Sequence, residues 1–488
     1  MYMGYHQMEV YMNNLIFDTI ATLVRLSMAL LGDGEVEVIR DEKEVVAMAE
    51  EFLLSADKNN DISQRYTDII KECENRKDYY FVRAILCRLD LSVDLSDAIK
   101  GYDFNTMRIS SEKGKSFSGL NSNIDETGII ILPKVKMLKA LNEHANAEGE
   151  HLPRKNANDW LEDINIKLQQ VYYVKKSEIA TYKIKNYLFA SPVEQEDKDF
   201  IRIGISPILN QKMDALFDID YYYGETPDGL HRTQLFGIRK ILFEELINKK
   251  TKLAFERACA EKCDIFISPE MLGSDELSSI DDEISESFRP RLSNGFQTPF
   301  LTLPPTQWTH QKNVLTLFDK NGEKIGEQHK QNRFKYNHDN TDWYEDLRAS
   351  NKEIILIHIE GWGRFAFPIC VDFLNEHYRS ILTKQLKATF LLCPSFSDGT
   401  YNFDLSAAND SEFEVRTIWV NSCSAHKHSV DCVGEVSVPT CLDRSRRTKI
   451  ERECKGACTD ICLFVVEIPK DCNDEKREVK VKHIHEYE

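Results

Sequence analysis

Three polar residues sit at the ends of apolar runs, in a definite order along the chain. Glu270 closes Ile265-Phe266-Ile267-Ser268-Pro269-Glu270, Lys330 ends Gly326-Glu327-Gln328-His329-Lys330, and Cys370 lies in Arg364-Phe365-Ala366-Phe367-Pro368-Ile369-Cys370-Val371-Asp372. A free thiol titrates near pH ~8.5 and needs a base or a nearby positive charge before it becomes a good nucleophile. Glu270 can be that base. When sulfur attacks an amide carbonyl or a nitrile carbon, negative charge develops on oxygen or nitrogen and needs donors already in place, each worth roughly 10²–10³ in rate. Lys330 and the backbone N–H of Val371 can supply them. Glu270 can then protonate the departing amine or ammonia and activate the water that hydrolyses the thioester.

Positioning three such groups takes a layered scaffold, and the second half of the chain predicts one. Strands are expected at Ile201–Ile205, Asp264–Ser268, Asn313–Phe318, Glu353–Ile359, Arg364–Ile369, Thr389–Leu392, Thr417–Val420 and Leu463–Ile468. Helices are expected over Gln234–Glu261, Asn375–Lys387 and Leu405–Arg416, and Asp319-Lys320-Asn321-Gly322 reads as a hairpin turn. That alternation is the pattern of an α/β layer structure. The first part of the chain reads as helix: Leu15, Ile16, Ile20, Leu23, Val24 and Leu31 recur at helical spacing up to Gly32, and Val45, Val46, Ala49, Phe52 and Leu53 repeat the pattern. A further helix or two is expected over Arg154–Lys185. The domain expectation is a mainly α-helical domain over 1–190, a polar linker over 191–199, and an α/β domain over 200–488. The charged tail after Cys472 is expected at the periphery.

Composition narrows the class. The 488 residues, 42% hydrophobic, can bury a large core. The apolar run from Leu15 to Leu31 is broken by Asp18 and Arg25, so neither a membrane span nor a signal peptide is expected, which points to the cytoplasm. A net charge of −18 argues against a primary nucleic-acid role. The 13 cysteines, odd in number and without a secretory signal, are expected to be mostly reduced thiols.

The region from about Phe200 to Ile468 resembles the nitrilase, or carbon–nitrogen hydrolase, superfamily. Phe266-Ile267-Ser268-Pro269-Glu270-Met271 is similar to that family's Glu motif. Asn313-Val314-Leu315-Thr316-Leu317-Phe318, the Gly322 turn and His329-Lys330 are similar to its Lys motif, and Gly363 to Asp372 is similar to its Cys motif. Pro394-Ser395 and Asn421 fall where the family has comparable elements. The resemblance implies an αββα sandwich, a Glu-Lys-Cys triad, no cofactor, and pairing with a second copy into a dimer or larger assembly. It also implies a second glutamate between the Lys and the Cys that orients the lysine. Glu345 fits best, with Asp342 as its competitor. Two features depart from the family pattern. Pro368 removes a backbone donor where a central strand is expected, predicting a bulge or altered pairing. The stretch Leu209–Thr233, with Tyr221-Tyr222-Tyr223, is longer than the family's first connection and is expected to reshape the pocket.

Several residues admit other readings. His329 is expected to be structural. His426, His428, Cys432, Cys441, Cys454, Cys458 and Cys462 offer soft ligands for zinc, but the four-residue spacing of the last three matches no two-plus-two pattern, which favours scattered thiols. Asp57-Lys58-Asn59-Asn60-Asp61 begins like a calcium loop, yet Ile62 stands where glycine is needed and Asp68 where the bidentate glutamate is needed. A papain-like protease lacks its downstream histidine and asparagine context. The function expected is hydrolysis of a non-peptide carbon–nitrogen bond in a small molecule, an amide before a nitrile. The alternative is a nitrilase-like sensing or interaction module whose helical domain binds a protein partner. Nitrilase-like domains attached to antiviral reverse transcriptases make a defence role conceivable, although this chain has no aromatic-x-Asp-Asp polymerase motif.

Overall fold

A computed structural model describes residues 5–32, 42–56, 61–92, 128–133, 168, 170–179, 182–189, 199–211, 215–225, 232–278, 284–289, 297–410, 415–425, 432–440, 444–452, 460–470 and 478–486. These form two compact units, one ending at Phe189 and one starting at Asp199.

In the first unit, α1 (Tyr5–Gly32), α2 (Glu42–Ala56), α3 (Ile62–Arg76) and α4 (Tyr79–Ser92) bury the stripes that their periodicity predicts. Ile20, Leu23 and Val24 meet Ala49, Ile69, Phe81 and Ile85 in one apolar core. The Asp61 carboxylate caps α3 by accepting from Gln64 N at 3.2 Å. The described residues beyond α4 depart from the helical expectation. Of the span Arg154–Lys185, residues 154–167 lie outside the described residues. Beyond them the chain forms strands: β2 (Val171–Lys175) pairs antiparallel with β1 (Ile129–Pro133), and β3 covers Lys183–Phe189. Val171-Tyr172-Tyr173-Val174 is a β-branched and aromatic run, a composition that fits a pleated surface better than a helix. The linker segment 191–198 and residues 57–60 of the calcium-like turn lie outside the described residues.

The second unit is built on two sheets. The first runs β11-β10-β8-β7-β4-β20-β21, comprising β4 (Phe200–Ile205), β7 (Ile265–Ile267), β8 (Leu301–Leu303), β10 (Lys312–Asp319), β11 (Lys324–His329), β20 (Ile461–Pro469) and β21 (Lys480–Glu486), with the short β9 (Gln307–Thr309) also on β10. The second runs β19-β18-β17-β16-β15-β14, comprising β14 (Glu353–Ile359), β15 (Gly363–Ala366), β16 (Phe390–Ser395), β17 (Arg416–Asn421), β18 (Cys432–Thr440) and β19 (Arg444–Glu451). They meet through contacts such as Phe300 with Trp362, ring centroids 5.8 Å apart, and Ile355 N donating to Gln328 Oε1 at 2.9 Å.

Helices cover the outer faces. Helix α5 (Glu244–Ala260) packs Phe255 and Ala258 against Phe266 and Leu463. After the short α6 (Asp275–Ser278), α7 (Val371–Leu374), α8 (Glu376–Ser380) and α9 (Tyr401–Asp410), Phe403 of α9 lies 4.8 Å from the Trp419 ring. The result is the αββα layering implied by the sequence resemblance.

A smaller sheet was not foreseen. It runs β12-β13-β6-β5, with β5 (Phe217–Glu225), β6 (Arg232–Ile241), β12 (Lys335–His338) and β13 (Thr341–Glu345). The helix expected over Gln234–Glu261 is therefore shorter, because Gln234–Ile241 is strand paired with β5. The described part of the tail lies at the periphery, as expected: Lys480–Glu486 is the edge strand on β20.

Pro368 disturbs no ladder. Strand β15 ends at Ala366, so the proline lies beyond the last paired residue and no bulge is needed. Gly363, at φ +132°, is required: a Cβ there would run into the Thr389 hydroxyl. Among the described residues, no helix is long and apolar enough to cross a membrane.

Candidate active site

Strands β4, β7 and β8 are mutually parallel, as are β15, β16 and β17, and the site gathers where both sets end. Open α/β sheets bind ligands at the carboxyl ends of their strands because backbone and side chains there are free to turn toward a crevice. Glu270 lies three residues beyond β7, and its N–H reaches across to Ser395 O of β16 at 3.2 Å. Lys330 comes directly after β11, its N–H bonded to Asn313 O at 2.9 Å. Cys370 lies between β15 and α7, its N–H on Pro394 O at 2.9 Å.

The backbone at Cys370 is forced. With φ 48° and ψ −107°, a non-glycine residue stands in a sparsely populated region, a state that costs about 1–3 kcal/mol and persists only where its surroundings hold it. The holding group is Asp372. Its buried carboxylate accepts from Gln331 N at 3.0 Å, Asn332 N at 2.7 Å, Asn332 Nδ2 at 2.8 Å and Ile369 N at 3.3 Å. One carboxylate therefore ties the Cys370 turn to the segment carrying Lys330. Burial pushes its pKa up to about 6, against the pull of these donors and of Lys330.

The four predicted side chains come together and are all buried. Lys330 Nζ donates to Glu270 Oε1 at 2.6 Å and to Glu345 Oε2 at 2.7 Å. Glu270 Oε2 accepts from Phe396 N at 3.0 Å, and the Glu270 carboxylate acts electrostatically on the buried Cys370 thiol. Glu345 occupies the second-carboxylate position. Asp342 instead points to the surface, paired with Lys335 at 2.7 Å. His329 is structural, accepting from Asn351 N at 3.0 Å.

Burial governs the titration of these groups. It raises Glu270 above the ordinary 4.5, and Glu345 adds to that, while Lys330 opposes it. Burial and then Glu270 push the Cys370 thiol well above 9.0, with Lys330 again opposing. Burial alone would pull Lys330 down, but Glu270 and Glu345 together raise it well above 10.5, so it stays charged.

Two contributors escape the sequence pattern. Asn313 Nδ2 bridges the carboxylates, donating to Glu270 Oε1 at 2.9 Å and Glu345 Oε1 at 3.1 Å. An asparagine opening an otherwise apolar strand was the available signal. The second is the Phe396 N–H, which donates to Glu270 Oε2 at 3.0 Å. Its loop is held by Asn421, which donates to Ser397 O at 2.7 Å and accepts from Ser397 N at 3.0 Å.

Of the zinc candidates, His426, His428, Cys441, Cys454 and Cys458 lie outside the described residues. Cys432 and Cys462 are on strands of different sheets. Among the described residues, no three metal-ligating side chains gather.

No protein-family model matches the sequence, and no curated protein matches it significantly. Solved structures do. Nit3 of Saccharomyces cerevisiae, a member of branch 10 of the nitrilase superfamily, is 13% identical over 59% of this chain and 91% of its own, with a TM-score of 0.30. The NitN amidase from Neterenkonia sp. AN1 is 14% identical over 55% of this chain and 93% of its own, at 0.33. The C. elegans NitFhit protein is 15% identical over 59% and 61%, at 0.35.

Beside the Glu270–Lys330–Glu345 cluster lies a cavity of about 60 Å³, onto which Glu270 and Lys330 open. Its far wall is the small sheet, through Phe217, Ile219, Phe236 and Ile238. The long Leu209–Thr233 stretch thus contributes β5 to the pocket.

Proposed function

We propose that the second unit hydrolyses a non-peptide carbon–nitrogen bond, an amide before a nitrile, through a thioester on Cys370. The observation carrying this reading is the buried cluster in which one lysine bonds two carboxylates at 2.6 and 2.7 Å, alongside the buried Cys370 thiol whose titration Glu270 and Lys330 govern.

The order of steps is set by the charges. Cys370 Sγ forms a bond to the amide carbon as its proton passes to Glu270, whose raised pKa suits it to receive one. The oxygen of the tetrahedral intermediate is stabilised by Lys330 Nζ and the Val371 N–H, the first amide of α7, which has no intrahelical acceptor. Collapse breaks the C–N bond, and Glu270 gives its proton to the departing nitrogen. That return of the proton favours an amide, which supplies a leaving amine. Water then attacks the thioester carbonyl while Glu270 takes its proton. The C–S bond breaks, and the thiol is restored as the acid leaves. Glu345 holds Lys330 in place and touches no reacting atom.

Intact-mass spectrometry after incubation with an amide library tests this. Wild type is expected to show an acyl adduct and release ammonia, whereas Cys370→Ala and Glu270→Gln show neither. Ammonia release undiminished in Cys370→Ala, or no adduct and no ammonia from any amide in wild type, overturns the reading.

A further inference from the structure

We propose that the cavity accepts an uncharged, apolar acyl group and rejects an anionic one, with β5 and β6 forming the wall that discriminates. This rests on the hydrolase reading above for the identity of the ligand as an amide. The wall itself stands on geometry. The ladder pairs Ile219 with Ile238 and Tyr221 with Phe236, so these side chains share the face turned to the cavity. Phe334 and Tyr336 complete an apolar lining around the two catalytic groups.

Charge decides the second half of the proposal. Among the described residues lining the cavity, Lys330 is the only basic one, and its ammonium already serves two carboxylates. Asp398, also lining the cavity, is acidic. A carboxylate on the acyl chain would be desolvated against Phe217, Ile219 and Ile238 without a counter-charge, and a buried unpaired ion is among the most expensive groups to bury.

Size sets a further limit. On this measure a water needs about 10–15 Å³, so about 60 Å³ holds roughly four to six waters' worth of ligand, a chain of a few heavy atoms. The apolar surface does not stop there. Tyr336 lies 6.2 Å from Phe236 and 6.1 Å from His338, and Tyr221 stacks on His338 at 4.7 Å and meets Trp343 at 5.0 Å. A longer acyl group would leave the cavity along aromatic rings.

The test uses full-length Cys370→Ala, which binds without turning over, titrated by calorimetry with butyramide and with succinamate. The two share a chain length and differ by a methyl against a carboxylate. Butyramide is expected to bind at least ~100-fold more tightly, given the cost of an unpaired buried charge. Succinamate binding as well as butyramide, or butyramide not binding at all, overturns the proposal. Ile219→Lys, at a half-buried position, is expected to bring the two affinities within about tenfold by supplying the missing cation. An unchanged preference in a folded Ile219→Lys protein would show that β5 does not discriminate. The two readings fail separately. If wild type forms no acyl adduct while Cys370→Ala still prefers butyramide, the hydrolase reading falls and the wall stands. If adducts form as readily from succinamate as from butyramide, the wall falls alone.

Discussion

Glu345→Gln isolates what the second carboxylate does. Both of its oxygens face donors: Oε1 takes Asn313 Nδ2 at 3.1 Å, while Oε2 takes Lys330 Nζ at 2.7 Å and Phe334 N at 3.2 Å. A glutamine must turn its NH₂ toward one set or the other, so no orientation of the amide satisfies the site. If the nitrogen faces Lys330, the charge-assisted bond is lost. If it faces Asn313, the asparagine that also bonds Glu270 is displaced. Losing a hydrogen bond to a charged group costs about 1.5–3 kcal/mol, and each ~1.4 kcal/mol is tenfold, so kcat/KM should fall roughly 10- to 150-fold. The variant also removes a negative charge that raises Glu270. The acid limb of the pH–rate profile should therefore move to lower pH, which a merely structural role for Glu345 would not cause. Asp342→Asn, at the surface, should leave both rate and profile unchanged. The assay is kcat/KM against pH for whichever amide acylates Cys370. A Glu345→Gln enzyme within twofold of wild type with its limb unmoved, or a comparable loss in Asp342→Asn, would refute the assignment.

In the proposed mechanism, Glu270 must be ionised to take the thiol proton, so activity is expected to be lost as pH falls through its pKa. Because that pKa is raised, the acid limb should lie above 4.5, and a limb at or below 4.5 in a kcat/KM profile would exclude Glu270 as the base. Lys330→Met leaves two buried carboxylates without their cation and should lower unfolding free energy by about 3–5 kcal/mol in a denaturant titration. Adding Glu345→Gln should recover part of that loss.

Eight strands, and the candidate positions Glu270, Lys330 and Cys370 that the structure brings together, were legible because each is a local event: an apolar run that stops at one polar residue. What was missed depends on pairing between distant segments. Leu235, Ile238 and Ile241 are spaced three apart, which fits a helix face, yet Gln234–Ile241 is a strand because β5 supplies the partner. Strand β5 itself hides in Tyr221-Tyr222-Tyr223, where the aromatic run shows no alternation. The choice between Asp342 and Glu345 shows where local reasoning could have gone further. Three residues apart on a strand, they must face opposite sides, and the buried Leu347 shares the side of Glu345. The role of Asp372 was not legible, since its partners Gln331 and Asn332 lie some forty positions upstream.

The charge count at the site constrains how the thiol is activated. Lys330, the cation bonded to both the Glu270 and Glu345 carboxylates, already faces an anion before Cys370 reacts. A free thiolate would add a second in the same low-dielectric space, which is why burial and Glu270 push the thiol well above its ordinary range. This differs from a cysteine paired with a histidinium, where the positive partner stabilises a standing thiolate. In the proposed mechanism the proton therefore leaves sulfur as it arrives on Glu270, and the negative charge passes at once to an oxygen that Lys330 and Val371 receive. The net charge is then the same before and after attack, and the cost of a second buried anion is avoided. Ultraviolet thiolate absorbance, taken as the difference between wild type and Cys370→Ala, should therefore be absent at neutral pH in the unliganded enzyme. A full thiolate signal at neutral pH would show that the thiol ionises before substrate binds and that Glu270 is not its base.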